Sequence, residues 1–114
     1  MIIVNINRED SKIKGFSVKG HAGYRPPGED IVCAAVSMLA QTTLLGLNRY
    51  AGEGLSYDIV DNPVLLKCSL TGGLSELQEV QCQAILETMV EGLKNLQKNY
   101  SGYVKVFRRR WTSC

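Results

Sequence analysis

A chain of 114 residues, 45% apolar and 21% charged, has room for one domain with a real core and not for two. A net charge of +2 argues against a protein that binds nucleic acid through overall charge, and the one dense basic cluster is Arg108-Arg109-Arg110 near the C-terminus, so direct nucleic-acid binding is not expected. The apolar start from Met1 to Ile6 is too short for a signal sequence and no run reads as a membrane span, which predicts a cytoplasmic protein without a membrane partner.

In chain order, Ile2, Val4 and Ile6 alternate with Ile3, Asn5 and Asn7, and a polar link leads to a second extended run from Ile13 to Lys19 with Phe16 and Val18 on one face. This predicts a β-hairpin. From His21 to Glu29 the chain holds Gly23, Pro26, Pro27 and Gly28, which predicts a loop, stiff in the middle and hinged at its ends. Asp30 then offers an N-cap to a helix from Ile31 to about Tyr50, which Gly52 and Gly54 end. Leu55–Val60 and Val64–Leu70 alternate around Asp61-Asn62-Pro63 and predict a second hairpin. A helix over Ser75–Lys98 follows, with Leu77, Ala84, Ile85, Met89, Leu93 and Leu96 on one half, and Tyr103–Phe107 closes as a strand with Val104 and Val106 inward. The order β-β-α-β-β-α-β predicts a single α+β domain over 1–114, a mostly antiparallel or mixed sheet packed with two helices.

The first helix is apolar around most of its circumference, so a sheet on one side and a partner subunit on another would satisfy it. Cys33, Ser37, Gln41 and Asn48 fall within a narrow arc of it and mark a wet or functional seam.

With Asp30 as N-cap, Cys33 occupies the first turn, where unpaired N–H groups and the helix dipole favour a thiolate and would receive an oxyanion. His21, the only histidine, lies twelve residues upstream, and an imidazole with such a thiol makes a cysteine nucleophile system. Taken singly, each residue also has a plainer use: Cys33 as a small core residue, His21 as a turn histidine bonded to backbone, Asp30 as a cap only, Ser37 bonded back within its helix. Cys68 and Cys82 fit core positions, and Cys114 is terminal. Four widely spaced cysteines with one histidine and no Cys-x-x-Cys pair make no zinc site, so no metal or other cofactor is expected. Gly20-His21-Ala22-Gly23 lacks the spacing of a nucleotide-binding loop.

Gly20-His21-Ala22-Gly23-Tyr24 followed by Gly28-Glu29-Asp30-Ile31-Val32-Cys33-Ala34-Ala35-Val36-Ser37 resembles the signature of the ribosomal-processing cysteine protease family, Prp, of bacteria. The resemblance spans the chain in length and element order, and its specificity rests on residues 20 to 37. It implies a small α+β homodimer that removes a short N-terminal extension from the twenty-seventh protein of the large ribosomal subunit, a ribosomal protein precursor acting as peptide substrate. It further implies Cys33 as nucleophile, His21 as its base, and supporting roles for Gly20, Asp30 and Ser37. Arg25-Pro26-Pro27-Gly28 is more proline-rich than the family pattern. Tyr24, Pro26, Pro27 and Gly28 are candidates for substrate contact by proximity to the site. Two other readings compete: a non-enzymatic ribosome-associated or RNA-binding module using Arg108–Arg110 with Tyr103 or Phe107, and a thiol redox sensor, which the lack of a nearby resolving cysteine disfavours.

Overall fold

The structure, a computed structural model, describes residues 1–20, 27–61 and 64–110, and the side chains of these except at 27–30, 61 and 64. Five strands and two long helices follow the predicted order: β1 (Ile2–Glu9), β2 (Lys12–Lys19), α1 (Pro27–Ala51), β3 (Leu55–Asp61), β4 (Val64–Leu70), α2 (Glu76–Asn99) and β5 (Val104–Arg110), with a single 3-10 turn at Gly52–Gly54. The strands make one sheet in the order β3-β4-β2-β1-β5. Every pairing is antiparallel except that of β1 with β5, so the sheet is mixed.

Alternation along the strands decides which sheet face is covered. Ile2, Val4, Ile6, Phe16, Val18, Leu66, Cys68, Leu70 and Val104 are buried on the side that both helices cover, together with Val32, Val36, Ala40 and Leu47 of α1 and Leu86, Met89, Val90 and Leu93 of α2. Ile13 joins them although its parity is opposite to that of Phe16, because the β1–β2 register shifts between Asn7 and Arg8 and leaves Lys14 as an extra residue. Gln83 of α2 meets this irregularity: its Oε1 accepts from the Ile13 N–H at 2.9 Å and its Nε2 donates to the Ile13 carbonyl at 2.8 Å. One amide thus satisfies two backbone groups beside the bulge and ties α2 to β2. Two residues on, Gly15 passes so close to β4 that a Cβ there would fall 2.5 Å from the Cys68 carbonyl oxygen. Any larger residue would push the strands apart.

α2 starts one residue into the predicted span, with a capping box in which Ser75 Oγ accepts from the Gln78 N–H and the Gln78 side chain accepts from the Ser75 N–H. Its inner face keeps the expected Ile85, Met89, Leu93 and Leu96 but is turned from the expected one at Leu77 and Ala84. Cys82, Leu86, Met89, Val90 and Leu93 are buried, whereas Leu77 and Ala84 are exposed. The helix has two apolar arcs, and packing against the sheet selects the one centred on Leu86.

α1 begins at Pro27, four residues before the predicted Ile31. The sequence holds the reason. Proline is favoured at the first helical position, where its missing N–H would be unpaired anyway and its fixed φ suits the helix, and acidic residue types such as Glu29 and Asp30 suit a first turn. Pro27, Gly28, Glu29 and Asp30 are therefore helical backbone, not loop. α1 also corrects the reading of the sequence for membrane spans, since from Ile31 onward it is long and apolar enough to cross a membrane by length and composition alone. One side of it packs into the core on the sheet.

Candidate active site

The sequence places Gly20 at the end of β2, and the structure agrees: β2 stops at Lys19, and Gly20 is the next residue. A Cβ on Gly20 would meet Ile2 Cγ1 at 3.4 Å, an ordinary contact, so steric exclusion is not what calls for glycine there. His21, Tyr24 and Pro26 lie outside the described residues. Pro27, Gly28 and Asp30 are the first, second and fourth residues of α1. Asp30 is thus inside the helix and is not its N-cap.

Cys33 is the seventh residue of α1 and not a first-turn residue. Its own N–H belongs to the helix ladder, and the unpaired donors sit about one turn upstream. Side chains on a helix lean toward its N-terminus, so the thiol still tilts toward those donors, but the dipole's influence fades beyond the first turn. Cys33 is half-buried and packs against the core cluster.

The predicted seam continues below the thiol. Ser37, one turn on, is exposed, and Gln41 Nε2 donates to its Oγ at 2.7 Å. That bond occupies an acceptor site of the hydroxyl and leaves its own hydrogen available as a donor. Asn48 is exposed on the same side of the helix. The other two described cysteines belong to a different environment. Cys68 and Cys82 are 2% and 0% exposed, burial pushes the Cys68 thiol up to about 12, and burial raises that of Cys82 as well, with Glu79 adding to it. Both stay protonated at neutral pH and are poor nucleophiles.

Beside the polar seam runs a feature that only the spacing of the sequence hints at. Ile31, Met38 and Leu45, seven residues apart, are 62%, 65% and 72% exposed and point away from the core. Leu77 and Val80 of α2 are exposed as well. Between the helices, Leu39, Gly46, Ile85 and Met89 line an open apolar hollow of about 450 Å³.

The sequence profile of the family described as cysteine protease Prp matches residues 1–105. This chain belongs to the Prp cysteine protease family. The ribosomal processing cysteine protease Prp of Bacillus subtilis is 25% identical over 107 residues, covering 93% of this chain and 96% of that protein. Two solved structures of Prp from S. aureus share the fold. One, in complex with a substrate peptide, superposes with a TM-score of 0.82 at 22% identity, covering 96% of this chain and 100% of that one. The other carries a covalently linked product peptide and gives 0.78 at 24% identity over the same shares. The five-stranded mixed sheet with two helices is therefore the Prp fold, and the chain is a cysteine protease of the ribosomal-processing type.

Proposed function

We propose that this Prp-family chain is a cytoplasmic endopeptidase that removes the N-terminal extension of the twenty-seventh large-subunit ribosomal protein, with Cys33 as nucleophile and His21 as its base. The observation that carries the reading is the half-buried Cys33 thiol on α1, in a chain whose other described cysteines are sealed in the core. The Cys33 thiolate adds to the scissile carbonyl, the C–N bond breaks, and the His21 imidazolium gives its proton to the leaving amine. Water, deprotonated by His21, then adds to the thioester and releases the carboxylate, which restores the thiol. The covalently linked product peptide of the S. aureus relative fits this nucleophilic course. Ser37 supports the site from one turn below, its orientation fixed by Gln41, and Gly20 and Asp30 carry supporting roles by their place in the motif.

The active form is a homodimer in this reading. Its interface is the Ile31, Met38 and Leu45 stripe, which would lay a second copy beside the thiol and form a wall of the substrate cleft. Met38→Glu with Leu45→Glu should shift the sedimenting species to monomer. An unchanged mass would rule this face out.

Cleavage of the extended ribosomal protein, followed by mass spectrometry, tests the activity. Wild type should release the extension at one bond, while Cys33→Ala and His21→Ala should leave the substrate intact. An intact substrate with folded wild type would refute the proposed substrate.

A further inference from the structure

The face of the sheet turned away from the helices is built in rows across the strands. Register aligns Phe107, Asn5, Ser17, Lys67 and Asp58 in one row, and Arg109, Asn7, Gly15, Ser69 and Ser56 in the next. Glycine and serine in the centre make a low floor, and longer side chains stand on both sides of it. The result is an open groove of about 760 Å³ whose lining includes Lys67 and Arg109 against one carboxylate, Asp58. Lys19 and Lys105 stand in a third row beside it.

One rim of the groove is a preformed flat platform. Arg109 lies over the Phe107 ring at 4.8 Å from guanidinium carbon to centroid, and its Nε donates to Asn5 Oδ1 at 3.0 Å. These two contacts fix the guanidinium against the Phe107 ring on the open face of the sheet. Linear sequence puts Phe107 beside the arginines but does not say which face each takes. Of the triple-arginine cluster, Arg109 belongs to this face, while Arg108 faces the helix side, where it donates to the Asp10 carbonyl, and the lysines come from β2, β4 and β5.

We propose that this open face binds single-stranded RNA, independently of the peptidase site. Bases stack on the Phe107–Arg109 platform and over the serine and glycine floor, and phosphates pair with Lys67, Lys105 and Lys19. The Asn5 amide and Ser17 hydroxyl, in the row between platform and Lys67, are placed to bond ribose 2′-hydroxyls. A duplex would offer no base faces to the platform, and an acidic peptide would leave it unused.

The test is fluorescence anisotropy of an unstructured 12-nucleotide RNA with the full chain, alongside Phe107→Ala and Lys67→Glu, each first shown folded by thermal melting. Wild type should bind at 50 mM salt, and affinity should fall roughly 20- to 50-fold by 200 mM if three or four phosphates are paired. Each substitution should weaken binding about fivefold or more. Absence of binding at 50 mM salt, or wild-type binding by both variants, overturns the proposal. Equal binding of DNA of the same sequence overturns the choice of RNA, and equal binding of polyglutamate reduces the face to a general polyanion patch. Peptide cleavage enters none of these readouts, so failure here is distinct from failure of the protease reading.

Discussion

Cys33 and Cys68 are the same residue type in one small domain, yet they occupy opposite kinds of ground. Cys68 projects from a central strand into the dry layer between sheet and helices, with its thiol held neutral by burial. Cys33 stands half-buried at the edge of the core, and polar residues continue along its side of the helix at Ser37 and Gln41. The contrast shows that a thiol's chemistry is assigned by its layer. A core thiol serves as a small apolar group, whereas a rim thiol has one side fixed by packing and the other open to reagents.

The largest expected effect separates the two by activity. Cys33→Ala should lower kcat/KM for the peptide substrate by about 1,000-fold or more, because the whole covalent route goes with the sulfur. Its melting temperature should stay close to that of wild type, since the side chain is small and only partly buried. Cys68→Ala should do the reverse, costing about 1–3 kcal/mol of stability through the void it leaves while keeping kcat/KM within a few-fold. Paired peptidase assays and denaturant melts read both. A Cys68→Ala protein that is folded and inactive would break the division.

A smaller and more graded difference should appear in alkylation. In a Cys114→Ser background at pH 7.5, iodoacetamide should modify Cys33 on the native protein, while Cys68 and Cys82 should react only as fast as the protein unfolds. Peptide mapping by mass spectrometry distinguishes the sites. Because the Cys68 thiol sits at about 12, it should stay silent even when the pH is raised to 9. Modification of Cys68 in native protein at pH 9 would mean that the core layer opens more readily than its packing implies.

The layers themselves were largely legible in the residues. Period-two alternation of Ile2, Val4 and Ile6 and of Leu66, Cys68 and Leu70 marks the covered face, and Gly72-Gly73 marks the approach to α2. What escaped was set by neighbours distant in sequence. The parallel pairing of β5 with β1 has no local signature, and the choice of Leu86 over Leu77 as inner residue depends on which arc meets the sheet. Pro27 misled in another way, because proline reads as a breaker unless its place at a first helical position is considered. At the site, the helical arc holding Cys33, Ser37 and Gln41 was legible from 3.6-residue periodicity. His21 lies outside the described residues, and no local pattern in the sequence encodes where it stands relative to Cys33.

The smallest effect lies where rim and core join, at the end of β1. Arg8 reaches α2 with both guanidinium nitrogens, Nη1 to Glu87 Oε2 at 2.9 Å and Nη2 to Oε1 at 2.8 Å. Arg8's hydrogen bonds lower the Glu87 pKa, aided by its charge and by Lys94, and partial burial opposes them. With a folded pKa below the unfolded one, the contribution is complete above the ordinary carboxylate range and is lost as pH falls through the folded value. Because Glu87 is about half exposed, the pair is worth only about 0.5–1 kcal/mol. Urea melts of wild type and Glu87→Gln should therefore differ by about that much at pH 7 and converge toward pH 3. A difference that persists at pH 3 would assign the pair's effect to side-chain packing, and the helix layer would then be anchored to β1 by shape and not by charge.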